Sequence, residues 1–239
     1  MANKKGKNKS KIEKYINRKN LTMKILYKAM DEKKIFIGFY DYTVILTYVG
    51  MISAFIGILN TINYNFKIAI ICLMFTGLCD MFDGTVASTK KRNKQEIHFG
   101  IQIDSFCDLI SFGVFPALFI YMYSEKTILS SIIAIIYTLL ALIRLSVFNV
   151  IEEERKENTN EKSSQFLGIP VTTVALLLPL MYLLYSFGII KNMILFSIIL
   201  LILGIFFITT IKIQKPNLIG KIIIILIGIS EIIGLFLLK

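Results

Sequence analysis

From Tyr42 onward the chain is a succession of apolar runs, each about as long as the hydrocarbon layer of a bilayer is thick. Backbone exposed to lipid must satisfy its own hydrogen bonds, so such runs fold as helices or as closed barrels. Barrel strands alternate apolar and polar residues, whereas these runs are continuous. The expected fold is therefore all-α, a polytopic membrane helical bundle. Spans are expected at about 42–60, 66–88, 100–123, 127–149, 171–188, 191–211 and 218–238. With 55% hydrophobic residues and a mean hydropathy of +0.69, the chain is too apolar for a soluble domain of 239 residues.

The segment 1–40 differs. Residues 1–20 are rich in Lys and Asn and read as disordered. Residues 21–38 carry Leu21, Ile25, Leu26, Met30, Ile35 and Phe36 among lysines, the pattern of an amphipathic helix lying on a membrane surface. Its lysines would meet anionic headgroups. No cleavable signal peptide is expected, because no apolar core follows this basic stretch closely. Asp41 is placed to cap the first span. The expected division is a basic tail with an interfacial helix over 1–40, a membrane domain over 41–212 and an additional span over 213–239.

Lysine and arginine set the orientation. Twenty-two of the 27 fall in 1–40, 89–99, 150–169 and 212–221; Lys67, Lys126, Lys191 and Lys239 lie on the other side, and Arg144 lies inside a span. The N-terminus and the 89–99 and 150–169 loops are thus expected in the cytoplasm of a multi-pass cell-membrane protein. This bias accounts for most of the net charge of +11, so nucleic acid need not be invoked.

Against this apolar background four carboxylates stand out. Asp80 and Asp83 are spaced i, i+3, and Asp104 and Asp108 i, i+4, so each pair shares a helix face. An ionised Asp at a bilayer centre costs about 2.5–3.5 kcal/mol, too much for four lipid-facing residues. A hydrated cavity holding one or two divalent cations explains them. All-oxygen donors suit Mg²⁺, Mn²⁺ or Ca²⁺. Zinc is disfavoured, since His98 is the sole histidine and reads as solvated, and Cys72, Cys79 and Cys107 read as packing residues inside spans. By the expected boundaries Asp83, Asp104 and Arg144 each lie five residues from a cytoplasmic span end, roughly 7–8 Å deep. Gly84 and Ala87 keep the acidic face small, as a diphosphate-bearing lipid would require. A carboxylate not engaged by metal could accept a proton from an attacking hydroxyl.

The order Asp80, Asp83, Gly84, Ala87, Gly100, Asp104, Asp108 resembles the signature of the CDP-alcohol phosphatidyltransferases. Asp104-Ser105-Phe106-Cys107-Asp108 with Ser111-Phe112-Gly113 and Pro116, then Arg144 to Asn149, then Phe166 to Pro170, resemble the phosphatidylserine synthases within it. The resemblance implies a six-helix core over about 42–211, with the seventh span an appendage. It implies transfer of a phosphatidyl group from CDP-diacylglycerol to L-serine with release of CMP, dependent on Mg²⁺ or Mn²⁺. It implies metal binding by Asp80, Asp83, Asp104 and Asp108, with Asp108 the base for the serine hydroxyl. It implies a CDP-lipid site lined by Asp80, Gly84, Ala87 and the residue at Ser88. Members usually carry Arg at that position; here Lys90, Lys91 or Arg92 is expected to supply the charge. The gap from Ser88 to Gly100 is also longer than in many members.

Arg144 offers a planar fork for the serine carboxylate or a lipid phosphate, or an ion pair to one of the aspartates. Ser105 and Asn149 are weaker acceptor-binding candidates, with capping or packing as the alternative. Residues 152–157 read as a solvated loop. Gly50, Ser53, Ala54 and Gly57 form a small-residue face for helix packing, with a homodimer as the alternative use. Competing readings are a family member with another acceptor alcohol (glycerol 3-phosphate or an inositol phosphate), a cation transporter and an inactive scaffold. A transporter predicts acids along a complete crossing path, yet Glu231 is the only other acid well inside a span.

Overall fold

The computed structural model describes Gly38 and residues 42–158, 165–214 and 216–238. The chain divides into Met1–Phe39 and Tyr40–Lys239. The expected surface helix over 21–38 and the cap at Asp41 lie outside the described residues, Gly38 apart.

Helix α1 covers Tyr42–Ile62 and α2 Phe66–Ala87. They form an antiparallel hairpin whose turn passes through Tyr64 in the left-handed region, φ 60°. Helix α3, Lys94–Asp108, runs through a π-helical turn, Leu109–Val114, into α4, Phe115–Tyr123. Helix α5 covers Ile128–Asn158, α6 Val174–Ser186 behind a 3₁₀ turn at Val171–Thr173, α7 Ile194–Phe207 and α8 Leu218–Leu237. Four segments are long and apolar enough to cross a membrane: Tyr42–Ile62, Lys94–Tyr123, Ile128–Arg155 and Leu218–Leu237. Val171–Ser186 and Ile194–Phe207 are shorter apolar helices. The protein is a helical, multi-pass membrane protein.

The small-residue face of α1 is spent inside the protomer. A Cβ on Gly57 would fall 2.4 Å from Phe115 Cζ, and one on Gly50 3.2 Å from Cys79 Cβ. Bare backbone there lets α1 seat against both α2 and α4. The core continues through Phe112, Phe119, Tyr137, Leu178, Phe196 and Leu200, all almost fully buried. Helix α5 packs on α4, the π turn and α7, while α8 rests on α6 and α2. At its far end α8 is tied back where Lys67 Nζ donates to the Leu238 carbonyl at 2.9 Å.

The π turn has a local cause and a local remedy. Pro116 has no N–H to return to the Phe112 carbonyl. The Tyr137 hydroxyl, buried on α5, donates to that oxygen at 2.7 Å. Gly113 lets the turn approach Ala141, whose Cβ would lie 3.3 Å from an added Cβ.

Several boundaries differ from expectation. Helix α3 begins at Lys94 rather than near Gly100. Asn93 accepts from Glu96 N and Glu96 Oε2 accepts from Asn93 N, both at 2.8 Å, a reciprocal cap that starts the helix. Helix α5 continues to Asn158, so residues 152–157 are helical and not a loop. The bonds from Arg155 to Glu152, one turn apart, support it. Helices α6 and α7 end earlier than expected, and a short strand pair accounts for residues left over. Gln165–Leu167 (β1) pairs antiparallel with Lys212–Gln214 (β2), Phe166 opposite Ile213. Gly168 follows at φ 73°, where a Cβ would fall 2.5 Å from the Phe207 carbonyl oxygen, so only glycine fits. Its N–H donates to Ile211 O at 2.7 Å and that of Ile169 to Phe206 O at 3.2 Å. The segment preceding α6 is thereby strapped to the end of α7.

Candidate active site

Helices α2 and α3 bring the acidic residues together from opposite sides of a six-residue connection, 88–93. Helix α1 packs along α2 and also touches α3, forming a shared floor. Carboxylate oxygens of Asp80, Asp83 and Asp104 all lie within 4.8 Å of one another. Asp108 adjoins them, facing Asp80 across α2 and α3 as Asp104 faces Asp83. The four residues thus meet in two cross-helix pairs. Two unit charges at such separations repel by about 3–4 kcal/mol at an effective dielectric constant near 20. A positive charge among them relieves that repulsion, and the all-oxygen donor set fits a hard divalent cation.

The rim is built around this group. Beside Asp83, an added Cβ on Gly84 meets nothing within 4 Å among the described residues, so the helix face there is open. Ala87 ends α2, and Ser88 closes it, its hydroxyl donating to Thr85 O at 2.7 Å. Ser88 is therefore engaged with its own helix. Of the three candidate cations in the connection, Lys90 pairs with Glu96 at 3.3 Å and Lys91 is exposed. Arg92 is different: its Nη1 lies 2.9 Å from where a Gly100 Cβ would stand. Gly100, Asp104 and Asp108 follow one another at four-residue steps on one face of α3. The Arg92 guanidinium so rests against bare backbone one turn from Asp104.

On the α5 side, Arg144 is buried, 6% exposed. The expected alternative, an ion pair to an aspartate, is not made: no carboxylate among the described residues lies within ion-pair distance. Its guanidinium carbon instead stands 5.8 Å from the Phe148 ring centroid. Ser105 and Asn149 meet each other, the serine hydroxyl donating to Asn149 Oδ1 at 2.5 Å across α3 and α5. One turn further out, Glu153 accepts from Gln102 at 3.0 Å and faces His98 Nδ1 at 3.6 Å. His98 thus has a carboxylate neighbour and is not merely solvated.

Sequence patterns overlooked two residues near the site. Thr47 on α1 donates to Asp83 Oδ2 at 3.4 Å. Glu153, read as part of a loop, holds α5 to α3. No motif marks either; both are brought in by helix register alone. Cys72, Cys79 and Cys107 are free thiols within α2 and α3, as their packing role requires.

Comparison with known proteins agrees with this geometry. The family described as CDP-alcohol phosphatidyltransferase matches residues 42–210. An archaetidylserine synthase of Methanothermobacter thermautotrophicus is 32% identical over 158 residues, 64% of this chain and 62% of that protein. A CDP-diacylglycerol–serine O-phosphatidyltransferase of Saccharomyces cerevisiae is 32% identical over 155 residues, 56% of this chain and 52% of that protein. One of the same name from Methanocaldococcus jannaschii is 32% identical over 185 residues, 77% and 79% of the two chains. The chain therefore spans only a little over half the length of the first two relatives. The match takes in every element from α1 to the end of α7, with the four aspartates inside it, and the chain belongs to the CDP-alcohol phosphatidyltransferase family.

Proposed function

We propose that the protein transfers the phosphatidyl group of CDP-diacylglycerol to the hydroxyl of L-serine, giving phosphatidylserine and CMP. The observation that carries this reading is the convergence of Asp80, Asp83 and Asp104 within 4.8 Å. It occurs in a chain whose relatives include several serine phosphatidyltransferases by name.

Asp80, Asp83 and Asp104 would hold one or two divalent cations, Mg²⁺ or Mn²⁺, with Asp108 at their edge. Such ions, when bound, polarise a phosphoryl centre and steady a leaving phosphate. Asp108 takes the proton from the serine hydroxyl as its oxygen attacks phosphorus and the bond to CMP breaks. The CDP-lipid lies along Asp80, Gly84, Ala87 and Ser88, where the open space beside Gly84 admits it. Arg92 meets its phosphates, taking the part expected of a charged residue at position 88. Arg144 receives the serine carboxylate, which neither glycerol 3-phosphate nor an inositol phosphate offers. Ser105 holds Asn149 Oδ1, leaving the Asn149 amide nitrogen as a donor toward the acceptor.

The Lys and Arg bias supports a cytoplasmic active site in the cell membrane, with the basic segment 1–40 against anionic headgroups. The catalytic unit is 41–212, with 213–239 an added helix. No homodimer is proposed through the α1 small-residue face, because that face is filled from within. The archaetidylserine synthase among the relatives favours a second reading confined to the tails: an ether-linked CDP-lipid donor with the same headgroup chemistry.

The test is CMP release by the purified protein from CDP-diacylglycerol and from its ether-linked counterpart. Serine, glycerol 3-phosphate and an inositol phosphate are offered in turn, with and without Mg²⁺ or Mn²⁺. Serine-dependent, metal-dependent release is expected, and Asp108→Asn abolishes it while retaining CDP-lipid binding. Release with another alcohol but not serine overturns the acceptor assignment. Ion flux in liposomes without CMP release would restore the transporter reading.

A further inference from the structure

Three side-chain hydrogen bonds cross from α1 to α2 in order. Ser53 Oγ donates to Cys72 O at 3.0 Å, the Thr76 hydroxyl is shared between Gly50 O at 3.1 Å and Cys72 O of its own helix at 2.9 Å, and Thr47 Oγ1 donates to Asp83 Oδ2 at 3.4 Å. The close approach of Gly50 to Cys79 lies between the last two. A seam held this tightly has one register, and that register stands Thr47 opposite Asp83. The first two bonds end on backbone carbonyls, as inter-helix bonds from small hydroxyl residues often do in membranes. The third ends on a carboxylate of the acidic group.

The hydroxyl of Thr47, like those of Ser53 and Ser105, bonds across helices instead of to its own helix. Helical Ser and Thr readily bond the carbonyl four residues back. Thr61 does so to Gly57 O at 2.9 Å, Thr138 to Ala134 O at 2.9 Å and Ser146 to Leu142 O at 2.8 Å. Thr47 reaches instead across 36 residues of sequence to Asp83. Asp83 is a half-buried side chain held by Asp104 and by its neighbouring Gly84 backbone, and Thr47 is the contact that reaches its Oδ2 from α1.

We propose that Thr47 is a positioning residue for the divalent-cation site. By holding one oxygen of Asp83, it sets the carboxylate plane offered beside Asp80 and Asp104 before an ion arrives. It touches neither substrate nor the reacting atoms. The proposal rests on the metal-binding reading above, and it adds α1, which carries none of the acidic motif, to the machinery of the site. Partners of this kind typically govern metal affinity by about 10–100-fold when removed.

The test compares wild type, Thr47→Ser and Thr47→Val in detergent. Mn²⁺ binding is read by electron paramagnetic resonance of the free ion, and the Mn²⁺ dependence of CMP release is measured beside it. Thr47→Val, isosteric but without a donor, is expected to weaken Mn²⁺ binding about tenfold. It should raise the activating Mn²⁺ concentration in step and leave kcat at saturating Mn²⁺ unchanged. Thr47→Ser is expected to bind Mn²⁺ as wild type does. If Thr47→Val does not fold, Thr47→Ala carries the same expectation. Wild-type Mn²⁺ affinity in the Val or Ala variant overturns the proposal, as does a Ser variant no better than Val. A wild-type protein that binds no Mn²⁺ overturns the metal reading itself, and this inference with it.

Discussion

The guanidinium carbon of Arg144 stands 5.8 Å from the centroid of the Phe148 ring, one turn along α5. That aromatic contact orients a buried cation while leaving its hydrogen-bonding edge for another partner. With no carboxylate among the described residues in ion-pair range, an incoming carboxylate is the natural complement. Arg144→Gln is expected to raise KM for serine by about tenfold to a hundredfold, since hydrogen bonds to charged groups are worth about 1.5–3 kcal/mol. KM for the CDP-lipid should stay unchanged. Arg144→Lys, which keeps the charge but loses the fork, should fall between. CMP-release kinetics at varied serine read the effect; a change confined to the CDP-lipid KM would move Arg144 to the phosphates.

Gly84 separates folding from function. Nothing among the described residues stands within 4 Å of a Cβ added there, so Gly84→Ala costs no packing. Helix propensity alone favours alanine by about 1 kcal/mol. The variant is expected to melt at or above the wild-type temperature and yet bind the CDP-lipid more weakly. Thermal melts and equilibrium binding of CDP-diacylglycerol make the comparison. Unimpaired binding would remove Gly84 from the nucleotide face.

Tyr137 matters to the site although it lies outside it. Its hydroxyl satisfies the Phe112 carbonyl that Pro116 leaves open in the π turn immediately after Asp108. Tyr137→Phe keeps the ring packing and leaves that buried carbonyl without its donor, at an expected cost of about 1–3 kcal/mol. The melting temperature should fall, and turnover with it, because the turn sets how Asp108 leaves α3. A variant with wild-type stability would show that the carbonyl finds another donor.

The spans were legible because continuous apolar length is a direct physical requirement of the bilayer. The acidic residues were legible because buried charge in that setting demands a reason. What escaped is either polar or non-local. Lys94 to Phe99 read as loop because they are charged, yet the Asn93–Glu96 cap starts a helix there, a signal present in the sequence and outweighed by polarity. Residues 150–158 read as loop for the same reason, and become helix because Glu153 has Gln102 and His98 to meet on α3. The β1–β2 strap joins segments nearly fifty residues apart through three-residue strands, too short to show any periodicity. Thr47 looks like any threonine in a span; only the α1–α2 register assigns it to Asp83.

The last expectation concerns the helix beyond the family match. Gly228 and Gly234 of α8 come against Leu176 and Leu183 of α6, and Glu231 lies between them on the same face. Glu231 is 3% exposed, and neither carboxylate oxygen meets a hydrogen-bond partner among the described residues. A polar group left unmatched in a buried seam costs about 1–3 kcal/mol, and an apolar residue of similar shape removes that cost. Glu231→Met is therefore expected to raise the melting temperature in detergent while leaving serine-dependent CMP release unaltered. Helix α8 docks on α6 and α2 and is tied through Leu238 to Lys67, at the end of α2 opposite Asp80 and Asp83, so stability and turnover should separate. A loss of activity at unchanged stability would instead bring Glu231 into the catalytic cycle, and would make the added helix part of the enzyme's working core.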